Sequence, residues 1–290
     1  MPLNTTDSEL SAAAAADLAE KLKLERQQII ELRRLFRDIS LDMRAFVAET
    51  GSPPNASVYE DDLRGILAKQ GRRVSTAFSG HIVGFLDEQP DDDPIIEDLA
   101  LIAAIGGLTA GALIDRMRND VRRRNQAFIS EQVTADTRII TVTNQREMDA
   151  SVLSARAAIL DGGDVPTNTE VARISSRDFQ NRGFARSPTI AATFTQKIAE
   201  GVKDIERTTF FNARNGFPSV IANVPQIQEV EIWVTVGDEN VRPTHVAVDF
   251  SPKDDFGWSV GGEFLKFPGD PNGSPGNIIN CRCSIQPVIE

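Results

Sequence analysis

The chain has 290 residues, 41% of them apolar and 25% charged, and a formal net charge of −11. That length and balance suit one large or two ordinary globular domains. The acid excess excludes a protein that adheres to nucleic acid or anionic lipid over its whole surface.

The first 17 residues are small and polar, without the basic and apolar regions of a signal peptide, so no export signal is expected. From residue 8 to about 150 the chain reads as helical. Residues 22–49 place Leu24, Ile29, Ile30, Leu32, Leu35, Phe36, Ile39, Leu41 and Phe46 at mixed three- and four-residue spacings, the pattern of one apolar helical face. Breaks follow at 51–55 (GSPPN) and 90–94 (PDDDP), where proline and glycine interrupt the helix. Between them, 58–70 and 73–86 read as two shorter helices.

Residues 99–114 (LALIAAIGGLTAGALI) carry no charge. A spanning helix needs roughly 20 apolar residues, so this run is expected to be buried in a bundle, its glycines allowing close approach, with no stable membrane insertion. The helix continues into a charged stretch to about 134 that holds Arg116, Arg118, Arg122, Arg123 and Arg124. A basic cluster can grip phosphate, yet Asp115 and Asp120 stand among these arginines, and a solvated face laced with ion pairs is the expected reading. Weak or no DNA binding follows.

Residues 161–166 (DGGDVP) read as a linker, because glycine loosens the chain and proline blocks a continuing helix. Helices are expected at 167–183 and 187–213, the second capped by Ser187 with Pro188 at its first position. From 217 onward the texture changes. Residues 230–236 (VEIWVTV), 244–250 (THVAVDF) and 281–288 (CRCSIQPV) read as strands bounded by turn residues. The expected fold class is α+β: an extended helical N-terminal region, 1–160, followed by a small α+β domain, 161–290.

The residues that carry chemistry crowd into the last sixty positions. They are Trp233, Asp238, Arg242, His245, Asp249, Cys281, Arg282 and Cys283. On a strand, His245 and Asp249 share one face, as do Cys281 and Cys283. If the two faces meet, imidazole, carboxylate and two thiolates are the ligand types of tetrahedral zinc. The Cys-x-Cys spacing differs from the Cys-x-x-Cys knuckle, and two plain readings stay open beside zinc: thiols packed as small hydrophobes, and His245 hydrogen-bonded to Asp249 or to a carbonyl.

The order Trp233, Asp238, Arg242, His245, Asp249, then a Gly/Pro-rich loop through Asp270, then Asn280-Cys281-Arg282-Cys283 resembles the phage Mu F-like head-morphogenesis family. The likeness covers residues from about 187 to the end and is most specific from Trp233 onward. Members often carry His-Pro where this chain has Ile278 and Ile279, a departure that removes one candidate ligand. The resemblance implies a minor capsid protein of a tailed bacteriophage, assembled in the host cytoplasm with the portal protein and other head proteins. It implies location in the virion head at or near the portal vertex, and ejection with the DNA as an open alternative. On this reading Arg242 pairs with Asp238, His245 ties to Asp249, and no catalysis is expected.

An enzyme is the competing reading. Glu229 and Glu231 have the Glu-x-Glu spacing of ADP-ribosyltransferases, with Ser175 and Ser176 as partners. So short a motif on a strand often marks only a solvated face.

Overall fold

The computed structural model describes residues 6–79, 109–215, 229–254 and 257–289. It shows an α+β chain in which long helices precede a few short antiparallel strands. The helices are α1 (Asp7–Thr50), α2 (Glu60–Phe78, preceded by a 3-10 turn at Ala56–Tyr59), α3 (Ala110–Asp161) and α4 (Asn168–Asn215). After them come β1 (Glu229–Val234), α5 (Pro243–Val246), β2 (Trp258–Val260), β3 (Glu263–Leu265), α6 (Pro275–Ile278) and β4 (Ser284–Ile289). The uncharged run at 99–108 and the proposed ends of the neighbouring helices at 80–86 lie outside the described residues. Among the described residues no helix is long and apolar enough to cross a membrane.

Two compact units emerge. One comprises Met1–Lys21, Arg73–Ile129 and Thr195–Glu290, the other Leu22–Arg72 and Ser130–Phe194.

The second unit is a helical bundle. Leu32, Leu35, Phe36, Ile39, Met43 and Val47 of α1 are buried, at the three- and four-residue spacing that places them on one face. Leu63 and Leu67 of α2, Ile140, Met148 and Val152 of α3, and Val171 and Phe179 of α4 complete the interior. Helix α1 stops at Gly51, whose φ of +75° suits the left-handed closing position that glycine occupies without strain. Its amide donates back to the Val47 carbonyl at 2.8 Å.

Asp161 closes α3, and residues 162–167 are the turn between α3 and α4 inside this unit. Two helix expectations are corrected. Residues 58 and 59 lie in the 3-10 turn, and 60–70 and 73–78 belong to the one helix that follows it. Likewise 167–183 and 187–213 form one helix, with Pro188 in its interior and Ser187 buried and donating to the Gly183 carbonyl at 2.8 Å. An interior proline costs roughly 3 kcal/mol. Burial of Phe179 before it and Ala191, Ala192 and Phe194 after it outweighs that cost, because packing of an apolar face dominates helix stability.

The first unit holds the C-terminal motif. Strands β1 and β4 pair antiparallel, Trp233 opposite Ile285 and Val234 opposite Ser284. Alternation along β1 sends Trp233 into one core with Trp258, Val260, Leu265, Phe267, Cys281, Cys283 and Ile285. It sends Val234 to the other side, against Leu10 and Ala14 of α1. The β2–β3 hairpin turns at Gly261 and Gly262, with φ of +60° and +86°, the paired positive values that a tight two-residue hairpin requires.

Candidate metal centre

The strand expected at 244–250 is not one. Arg242 is extended, Pro243 takes the first position of the short helix α5 and His245 lies within it. Proline's fixed φ is preorganised for a helix start and its missing N–H disfavours a central strand. The turn ends at Phe250, φ +54°. His245 is thereby carried inward, 1% exposed, with its ring edge-on to Trp233 at 5.4 Å between centroids.

The cysteines arrive from the other end of the domain. Helix α6 ends at Ile278, and Asn280, φ +55°, reverses the chain, a left-handed position that asparagine tolerates better than most residues. Cys281 and Cys283 then enter the core on one face, both 2% exposed and unbridged. Nδ1 of His245 lies 3.4 Å from Sγ of Cys283 and 3.7 Å from Sγ of Cys281, and the three ligand atoms sit within 4.8 Å of one another.

The thiols are electrostatically unequal. The Cys283 S–H donated to Cys281, together with the adjacent imidazole, holds the Cys281 thiol well below its ordinary range despite burial. Conversely, the hydrogen bond to Cys281 and burial push Cys283 well above it, while the Trp233 indole and Lys21 work the other way. Of the two sulfurs, Cys281 is therefore the one whose surroundings favour the thiolate. Among the described residues, His245 Nε2 is buried without a hydrogen-bond partner.

This trio can hold a metal ion. Metal–sulfur and metal–nitrogen bonds of about 2.3 and 2.0 Å at a tetrahedral angle set the two donor atoms roughly 3.5 Å apart, a spacing bracketed by the 3.4 and 3.7 Å observed here.

Asp249 is not part of the trio. Its carboxylate accepts the Thr235 amide and hydroxyl, each at 2.8 Å. The expected His245–Asp249 tie is therefore replaced by a bond across to the end of β1, because a helical turn and not a strand separates the two residues. The Asp238–Arg242 pair is likewise absent. Asp238 accepts the Asn240 amide at 2.9 Å within its own turn, and Arg242 donates to the Ile279 carbonyl. That contact links the α5 start to the residue before Asn280. Arg282 is half-buried between the two cysteines.

Several residues that position the site are inconspicuous in the sequence. Gln196 of α4 donates to the Cys283 carbonyl at 2.6 Å and to the Pro268 carbonyl at 3.3 Å. Asp270 accepts the Lys266 and Asn272 amides, each at 2.9 Å, shaping the loop that carries Phe267. Only the Asp-Pro-Asn spelling at 270–272 signals this, as turn chemistry. Nothing in the helical texture of α4 singles out Gln196.

The other candidates lie elsewhere. The arginines at 116 and 122–124 are exposed on α3. Arg118 pairs with Asp115 at 3.2 Å, Arg124 with Asp120 at 2.8 Å, and Arg123 also pairs with Asp120, as a solvated face would. Glu231 is held by Arg207 at 2.9 Å and Lys253 at 2.5 Å. Ser175 and Ser176 are buried in the other unit.

No protein-family model, no curated protein and no solved structure matches the chain.

Proposed function

We propose that this chain is a minor head protein of a tailed bacteriophage. Residues 161–290 are its Mu F-like domain and serve an architectural role at or near the portal vertex. One observation carries the reading: Trp233, His245, Cys281 and Cys283, spread over fifty positions of the motif, meet in one buried core. A motif whose polar and sulfur chemistry is packed out of reach of substrate suits a scaffold better than a reaction centre.

The trio binds zinc on this reading, because two cysteine sulfurs, deprotonated on binding, and a neutral imidazole are donors that zinc prefers. Bound there, the ion supplies a cross-link between α5 and the entry to β4. His245 orients its Nδ1 toward both sulfurs, Cys281 and Cys283 would contribute negative charge as thiolates, and Trp233 packs edge-on against the ring.

A stripe of exposed apolar side chains on α3 also supports an interaction role. Ile139, Val142, Leu153 and Leu160 are 45–67% exposed, and their spacing places them within one narrow sector of the helix. Such a stripe suits a partner helix or groove among the head proteins.

Two measurements test the reading. Quantitative analysis of purified virions is expected to find this chain at low copy relative to the major capsid protein. Elemental analysis of the full chain purified without chelator is expected to find about one zinc per chain. Particles that never contain the chain would overturn the head-protein reading, and a metal-free chain would overturn the zinc.

A further inference from the structure

The metal trio and the start of α1 are joined by one run of contacts. Leu10 and Ala14 are buried against Val234, flanked by Ile232 and Val288 of the β1–β4 sheet. One turn on, Asp17 pairs with Lys203 of α4 and accepts a hydrogen bond from the Gln286 side-chain Nε2 at 3.2 Å. Lys21 follows, 2% exposed, pairing with Glu200 at 2.6 Å and reaching the Cys283 carbonyl at 3.5 Å. The second Glu200 oxygen accepts the Ile285 amide at 3.0 Å. Cys283 therefore gives its sulfur to the trio and its carbonyl to side chains from α1 and α4.

Resting on the metal reading above, we infer that the first turns of α1 are a latch whose docking is coupled to metal loading at His245, Cys281 and Cys283. Coordination of both sulfurs fixes the backbone through 281–283, and with it the direction of the Cys283 carbonyl and the placement of the Ile285 amide. Those two groups are the acceptor and donor that complete the Lys21–Glu200 pair. A buried ion pair is favourable only with its remaining hydrogen bonds satisfied. An unfixed Cys283 therefore leaves Lys21 and Glu200 under-compensated and frees the latch. The terminal turns of a long helix depend on packing to stay formed, so loss of that anchor is felt through residues 8–21. Linkage makes the effect reciprocal: a docked latch tightens the metal.

The test uses the full chain, stripped with chelator and reloaded with zinc. Amide hydrogen exchange is read at 8–21, with 140–155 of α3 as the control for global opening. Zinc affinity is measured by competition with a chromophoric chelator in the unaltered chain and in Leu10→Asp, which places a carboxylate against Val234. The expected result is faster exchange at 8–21 in the stripped chain, an unchanged control, and zinc held about fivefold or more weakly by Leu10→Asp, the lower end of ordinary coupling. Equal exchange at 8–21 in both states, with zinc demonstrably bound, overturns the latch and leaves the metal reading standing. Failure of the unaltered chain to bind zinc overturns both. If Leu10→Asp does not fold, the exchange comparison on the unaltered chain decides alone.

Discussion

The bundle of the second unit and the motif core of the first solve burial in different ways. In the bundle, helices of 19 to 52 residues supply apolar faces by repetition, and the interior tolerates Gln28, Thr137, Asn144, Ser151 and Ser175 among the aliphatics. In the motif core, elements of three to six residues have little stability of their own. Two tryptophans, two thiols and an imidazole from distant positions fill the space instead. A bundle built by repetition loses little when one contact goes, whereas a core of few large pieces depends on each of them.

The sharpest way to break that contrast is to remove the largest piece. Trp233→Ala deletes a fully buried side chain and is expected to lose about 3–5 kcal/mol in chemical denaturation. A single-residue truncation in the bundle, such as Met148→Ala, also at 0% exposure, should fall nearer 2–3 kcal/mol. Equal losses would remove the distinction.

Acid should act oppositely on the two regions. Burial pushes the Glu200 carboxyl up, but Lys203, Lys21 and the Ile285 amide more than offset this and hold it at about 2. Its folded value lies below its ordinary one, so its stabilisation is complete above about pH 5 and is lost as the pH falls toward 2. The loss is on the order of 3 kcal/mol. In the bundle, burial raises the Glu147 carboxyl despite Arg186. A raised carboxyl favours the protonated fold, so acidification relieves that site. Hydrogen exchange between pH 6 and 3 is expected to loosen the amides around Ile285 before those around Glu147. The reverse order would contradict this assignment.

The smallest effect concerns two helical glycines pressed against aromatic rings. A Cβ at Gly183 would lie 2.5 Å from the Phe36 ring, and one at Gly201 would lie 2.3 Å from Phe128. Phe36 is fully buried, whereas Phe128 is only partly so and has room to shift. Gly183→Ala is therefore expected to cost about 1–3 kcal/mol. For Gly201→Ala the helix-propensity gain of up to about 1 kcal/mol offsets much of the clash. Thermal denaturation of the two variants side by side checks the order.

Legibility in the sequence followed the same division. The apolar spacing from Leu24 to Phe46 announced a helix, since a 3.6-residue period is written locally; Leu24, Leu32, Leu35, Phe36 and Ile39 are buried on its inner face, whereas Ile30, Leu41 and Phe46 are exposed. Strands β1 and β4 were visible as β-branched runs for the same reason. Helix α4 was read as two because Pro188 is a strong local breaker, and only its neighbours' burial overrides it. The segment around His245 was read as a strand because Val246, Val248 and Phe250 alternate, while the decisive residue was Pro243, whose ring favours a helix start.

What the chain determined by itself is the run of long helices, the change of texture from residue 217 onward, and the set of candidate ligands, His245, Asp249, Cys281 and Cys283. Tertiary structure alone decided that His245 joins both cysteines while Asp249 turns to Thr235. It also brought Lys21 and Gln196, 262 and 87 residues from Cys283, to the same carbonyl. Periodicity and turn chemistry act over a few residues and are legible in order. Convergence over hundreds of positions is set by which buried groups can all be satisfied at once, a condition that no local stretch of chain contains.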